Sequence, residues 1–490
     1  MTVPLWLLAL TLTGTIALAV SGRRAGGARS LEEWSAGGRS FGTLIVFLLL
    51  AGEIYTTFTF LGGSGWAYGR GAASYYLIAY NGVAYVLAYW LLPHIWRRAN
   101  AWRLLSQAEY FTRSYGSPRL GQMVSIVGLA AMVPYLMLQL KGLGIIVAES
   151  SNGAVSPTLA VWIGAVVTVG YVIGTGVHGS ARVAALKDVM VLLCVFVLAW
   201  WLPQIAAGGI GPMFRRLATE HPERLLFPTQ GLSGVWYVST VLLTGCGFYM
   251  WPHFFASVFT ARDEATIRRN AALMPLYSVI LLFVILIGYA ALLLVPGLEG
   301  AEHDLALLRA VKAVLPPWVV GVVGGAGLLT ALVPGSLLLM ASSTLLARFV
   351  QGLRGDAGTS STLARWCVPL VGGVALWGTL SGGATVVTLL LMAYSVITQL
   401  FPAMVGTLRD RPWVTPAGAM AGIVVGEATV VWLTFTKATI ANTFAWLPTA
   451  LHDLNVGIVA LMLNVLVLVL VSAADRVRAP ASVPFSPESR

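Results

Sequence analysis

Apolar residues along the chain neither alternate nor follow a one-sided helical stripe. They gather in long runs near 2–20, 41–63, 74–93, 120–148, 157–177, 184–206, 234–257, 271–297, 318–347, 363–381, 384–407, 415–437 and 452–473. A bilayer core about 30 Å thick takes ~20 apolar residues of helix. The runs therefore predict an all-α polytopic membrane protein of about thirteen transmembrane helices. A barrel of strands is excluded, because the runs are too long and the alternation is missing. No basic residue precedes the first run, and Arg23 and Arg24 follow it. That order is the reverse of a cleaved signal and puts the N-terminus outside.

Composition agrees. Hydrophobic residues make up 58% of the 490 and charged residues 10%, against about 25% charged in a soluble protein. The net charge of +11 would hint at nucleic acid in a soluble chain. Here it reflects Lys and Arg gathered in cytoplasmic loops. Arg97, Arg98, Arg103, Arg113, Arg119, Arg262, Arg268 and Arg269 all fall on the expected inner side, and the bias persists to the end of the chain. The expected location is a bacterial inner membrane, with the C-terminus cytoplasmic. The segments near 94–118 and 207–233 are too short to bury a soluble core, and the Pro- and Ser-rich stretch 474–490 reads as a disordered tail. Cys194, Cys246 and Cys367 sit in apolar runs with no metal or disulfide spacing.

Polar groups in mid-membrane need a reason. The second run carries Ala51-Gly52-Glu53-Ile54-Tyr55-Thr56-Thr57, with Glu53 near the midplane. Glu53 is either a protonated structural residue or a coupling residue. Gly52 and the threonines are expected to loosen the helix and expose carbonyls. The seventh run carries Gly245-Cys246-Gly247-Phe248-Tyr249-Met250-Trp251-Pro252-His253. Pro252 removes one backbone donor there. His253 is either a core histidine or a titrating one. Interrupted spans in corresponding positions point to a transporter binding site. These two lie five spans apart, which predicts inverted repeats over 41–206 and 234–407. The segment 1–40 adds an extra helix, and 415–473 adds two more. Tyr135 and Gln139 share a helix face in the fourth run. The expected solute pocket is Tyr55, Thr56, Thr57, Tyr135, Gln139, Phe248, Tyr249 and Trp251. Gln399 is a weaker pocket candidate. Lys141 is expected to snorkel outward. Lys187 and Asp188 are expected as an interfacial ion pair or gate. Glu427 is expected to be structural or oligomeric.

Several segments resemble the sodium:solute symporter family. They are Ser30 through Gly42 (SLEEWSAGGRSFG), Leu61 through Gly69 (LGGSGWAYG) and Gln107 through Phe111 (QAEYF). Gly52 through Thr56, Val133-Pro134-Tyr135 with Gln139-Leu140, Trp251-Pro252-His253 and Ile267 through Ala272 are similar to bacterial monocarboxylate permeases. The resemblance implies a leucine-transporter-type fold, alternating access, and a site between two broken helices. It implies lactate, pyruvate or similar short carboxylates as solutes. It also implies a sodium site at the carbonyls of Ala51 and Ile54. The accompanying hydroxyl positions fall on Val333 and Pro334, whose side chains offer no oxygen. Thr330 and Ser336 lie nearby and keep sodium open as a coupling ion. The alternative is a proton on Glu53, since burial favours a neutral carboxyl.

The expected function is cation-coupled symport of a small organic solute. A sodium symporter for an amino acid, sugar or vitamin is the alternative. A channel would show a filter motif or rings of charge. A transport-dead sensor would carry a signalling domain. No nucleophile–base pair suggests an enzyme. The partners expected are the solute and lipid, with a proton or sodium as the one ion and no other cofactor.

Overall fold

The computed structural model describes residues 2–21, 31–354, 361–409, 413–436 and 438–478. The linker with Arg23 and Arg24 and most of the expected tail lie outside them. The first part of the chain gives α1 (Val3–Ser21), α2 (Leu31–Ala36), α3 (Thr43–Ile54), α4 (Gly63–Arg70), α5 (Tyr76–Ala101), α6 (Gln107–Tyr115), α7 (Pro118–Ser150) and α8 (Pro157–Ala207). Next come α9 (Ile210–Glu220), α10 (Gly234–Gly247), α11 (Pro252–Phe259), α12 (Glu264–Ser278), α13 (Ile280–Leu294), α14 (Ala306–Val314), α15 (Pro317–Arg354), α16 (Ser361–Ser381), α17 (Val386–Ile397) and α18 (Phe401–Gly406). The last three are α19 (Pro416–Phe435), α20 (Ile440–Thr443) and α21 (Val456–Arg478).

Ten helical stretches among the described residues are long and apolar enough to cross a membrane. Three shorter apolar helices, Val3–Ala19, Thr43–Ile54 and Gly234–Met250, fall in the first, second and seventh expected spans. The fifth and sixth expected spans run together as the 51-residue α8. Within it Pro157–Gly174 and Gly179–Ala207 are each long and apolar enough to cross a membrane. The residues between them carry no proline to end the helix.

Sequence sets several starts. Ser117 and Ser156 each precede a proline, and their side chains accept the amides of Leu120 and Leu159. Thr415 caps α19 in the same way before Pro416. A side-chain acceptor satisfies an orphan amide, and proline at the first position loses nothing. α15 lies at the centre, packed against α1, α7, α8 and α16. α19 and α21 pack mainly on one another.

Both predicted interruptions are present. α3 ends at Tyr55 (φ −87°, ψ 86°), and helix resumes through one π-helical turn, Phe58–Gly62, into α4. The threonines supply the local cause. Thr56 Oγ1 accepts from the Phe58 amide at 3.1 Å, and Thr59 Oγ1 donates to the Ile54 carbonyl at 2.8 Å. Such side-chain bonds compete with the helical ladder. In the second case α10 tightens into a 3-10 turn, Phe248–Met250, and Trp251 is extended (φ −70°, ψ 135°). A residue before proline avoids the helical region, and Pro252 then begins α11.

The two broken helices are tied at one end of the molecule. Phe41, just before α3, donates its amide to the Thr260 carbonyl at 3.0 Å, and Arg262 donates to the Phe41 carbonyl at 3.0 Å. At the other end, Tyr68 donates to the Val295 carbonyl at 2.8 Å and accepts from the Leu298 amide at 2.9 Å.

Candidate functional site

The interruptions lie beside one another, and α7 touches both. Ser257 of α11 donates to Glu53 Oε1 at 2.6 Å. Tyr135 of α7 donates to the Glu53 carbonyl at 3.3 Å, and its ring lies 4.9 Å from that of Trp251. One turn further along α7, Gln139 Oε1 accepts from Thr57 at 2.8 Å. Gly142 lets the two segments approach this closely. A Cβ on Gly142 would fall 2.6 Å from Thr57 Cβ.

All eight expected pocket residues are buried, from Tyr55 at 0% exposure to Tyr135 at 6%. Thr56 and Thr57 lie in the first interruption, and Phe248, Tyr249 and Trp251 in the second. Tyr80 and Tyr394 join the aromatic wall, 5.8 Å from Phe248 and 5.3 Å from Trp251 respectively. The centre is therefore closed from both sides. Several buried polar atoms in it have no hydrogen-bond partner among the described residues. They include Glu53 Oε2, the Tyr55 hydroxyl, Gln139 Nε2 and both nitrogens of His253. Buried polar groups are usually satisfied, and these are not.

The implied sodium site is short of oxygens, because Val333 and Pro334 offer no side-chain ligand, and each remaining candidate oxygen already carries a hydrogen bond. The Ala51 carbonyl accepts from the Tyr55 amide at 2.9 Å, and the Ile54 carbonyl is taken by Thr59. Thr330 Oγ1 donates to its own helix at Gly327, 2.5 Å away. Ser336 Oγ donates to the Val333 carbonyl and meets Ser180 Oγ at 2.9 Å. The free carbonyls of the first interruption are those of Gly52 and Tyr55, and Lys187 Nζ donates to both, at 3.0 and 2.9 Å. Its third contact is Asp188 Oδ1 at 2.9 Å. Val333 presents a methyl on this side, 3.6 Å from where a Gly52 Cβ would lie. A hard cation needs oxygen ligands. Here an ammonium already holds the free oxygens.

Three expectations change. Lys187 and Asp188 form the expected ion pair, at 2.9 Å, but it is buried within the protein, with side chains 0% and 4% exposed. The lysine reaches the carbonyls freed by the interruption. Lys141 does not snorkel. It pairs with the buried Asp304 at 3.0 Å and donates to the Ala384 carbonyl at 2.6 Å. Gln399 lies outside the central site, bonded to Ser395, Gly457 and Asn464 where α17 meets α21. Sequence reasoning also missed Ser257, Tyr80, Tyr394 and Tyr277, which donates to Asp188 Oδ1 at 2.9 Å.

The model of the sodium:solute symporter family matches residues 34–426. The chain belongs to the sodium:solute symporter family. Among relatives it is 52% identical to the uncharacterized symporter YhjB of Bacillus subtilis (strain 168), over 91% of this chain and 92% of that one. It is 26% identical to a monocarboxylate transport permease protein of Rhizobium johnstonii, over 92% of each. Among solved structures, a Na+-coupled sialic acid symporter superposes with TM-score 0.78 at 13% identity, over 97% of this chain and 98% of that one. MhsT superposes with TM-score 0.54 at 14% identity, over 88% and 98%. These likenesses, with the two interruptions, give this symporter family member the leucine-transporter-type fold.

Proposed function

We propose that this symporter family member imports a short monocarboxylate such as lactate or pyruvate, coupled to a cation gradient, with 41–206 and 234–407 as the inverted repeats that rock around the site. One observation carries the solute class. The helix restarting at Phe58 and the helix α11 starting at Pro252 both begin at the central site. Helix N-termini favour a carboxylate. The unpartnered Tyr55 hydroxyl and Gln139 Nε2 add donors for its oxygens. The aromatic wall of Phe248, Tyr249 and Trp251 suits a small apolar remainder. The 26% identity to a monocarboxylate permease supports the same reading. Glu53, with one oxygen on Ser257 and the other without a partner, is the candidate proton carrier. In that role it is neutral while the site is closed and ionises when water reaches it.

Uptake of labelled lactate into proteoliposomes, with pH and sodium gradients imposed separately, tests this. Accumulation under a pH gradient is expected, with Glu53→Gln uncoupled from it. Absence of lactate or pyruvate uptake under any gradient would remove the monocarboxylate assignment. Full proton-driven uptake by Glu53→Gln would remove Glu53 as carrier.

A further inference from the structure

We propose that the Lys187 ammonium is a tethered replacement for a coupling sodium ion, so that this protein carries its solute without binding sodium. An interrupted helix leaves carbonyls without amide partners, and in a bilayer these must be met by some donor or cation. In the first interruption the carbonyls left over are those of Gly52 and Tyr55. Lys187 Nζ reaches both from α8, at 3.0 and 2.9 Å.

An ammonium has three donors and no acceptor. The third donor goes to Asp188 Oδ1 at 2.9 Å, so the group is fully used. The side chain is 0% exposed, which leaves it no water. Removing such a charge from water is costly unless it is paired and hydrogen-bonded, and here it is both. Carbon also lies against Gly52 on two sides. From α15, Val333 presents carbon. From α8, Ala184 does the same, 3.5 Å from where a Gly52 Cβ would lie. The hydroxyls of Thr330 and Ser336 donate their protons to their own helix and keep their lone pairs. The other charged or titratable groups facing this corner are Glu53 and Tyr55 from the first interrupted span and Tyr277 from α12. Tyr277 holds Asp188 Oδ1 at 2.9 Å.

The tether changes what the site does in a transport cycle. A sodium ion leaves when the site opens and carries its charge across. Lys187 stays on α8 beside Asp188. To open this side, α3 must draw its two carbonyls away from Nζ, and on closing it must return to them. The lysine therefore latches α3 against α8 and moves no charge through the membrane.

The binding arm of the test needs no solute. Purified full-length protein is titrated with radioactive sodium, and its thermal unfolding is followed in sodium chloride and in choline chloride. The wild type is expected to show no saturable sodium binding and the same unfolding midpoint in both salts. In Lys187→Ala the carbonyls and Asp188 are released to accept an ion, so sodium is expected to raise its midpoint above that in choline. Saturable sodium binding by the wild type would overturn the proposal, and so would a folded Lys187→Ala that is indifferent to sodium. Should that variant not fold, the wild-type titration still decides. The transport arm rests on the monocarboxylate reading. It expects lactate uptake unchanged when choline replaces sodium, and sodium-driven accumulation would overturn the tether. If lactate is not carried at all, that reading fails while the binding arm still judges the lysine.

Discussion

At the scale of single residues, the site mixes polar side chains that find a partner with others, such as His253, that find none among the described residues. Glu53 is 1% exposed and keeps one oxygen on Ser257. A buried acceptor that loses its donor costs about 1–3 kcal/mol. Ser257→Ala is therefore expected to lower the thermal unfolding midpoint in detergent and to weaken uptake. Ser257→Thr, which keeps the hydroxyl, is expected to retain more of both. An unchanged midpoint in Ser257→Ala would show that this bond contributes nothing. Glu53, Tyr135 and Gln139 were legible as candidates, because polar residues are rare in such runs. Ser257 was not, since serine is common in membrane helices and only the approach of α11 to α3 gives this one its role. Lys187 was visible as half of an ion pair but not as a donor to the first interruption. A lysine stem spans several ångströms, so the residue's place in the chain does not say where the ammonium ends.

At the scale of elements, the interruptions were readable because their causes are local. Threonine hydroxyls compete with the ladder at 56–59, and a proline forces Trp251 into an extended conformation. How the interruptions meet depends on α7, which the sequence could not place. Gly142 is the point of closest approach. A methyl there would lie 2.6 Å from Thr57 Cβ and Cγ2, so Gly142→Ala overpacks the contact at a cost of ~1–3 kcal/mol. The expected outcome is a folded but less stable protein whose solute uptake is impaired, because Thr57 and Gln139 no longer align. Wild-type uptake kinetics in a stable Gly142→Ala would show that this spacing does not matter. The fusion of two expected spans into α8 is another element-scale result. Hydropathy separates the two runs, whereas helical hydrogen bonding continues between them.

At the scale of the whole molecule, the site is closed at both ends by contacts between distant parts of the chain. One end pairs Phe41 with Thr260 and Arg262. The other uses Lys141, which ties α7 to Asp304 and to Ala384, while Asp304 also accepts the Val386 amide at 3.0 Å. Removing one partner from a buried pair strands the other, at ~3–5 kcal/mol. The Asp304 carboxylate is 2% exposed, so Lys141→Ala is expected to loosen this end. A cysteine placed at Thr57 should then react faster with a membrane-impermeant thiol reagent than it does with Lys141 intact. Equal rates in the two backgrounds would count against Lys141 as a closure contact.

The chain's own pattern determined that this is a helical membrane protein, where two of its helices break, and which polar residues lie near the breaks. Those properties follow from bilayer thickness, from hydroxyls and proline acting on neighbours a few residues away, and from the rarity of polar groups in lipid. Tertiary structure alone decided that Lys187 meets Gly52 and Tyr55, that Ser257 meets Glu53, and that Lys141 meets Asp304. Each pair is more than a hundred residues apart in sequence, and its energy exists only once folding has excluded water from both partners.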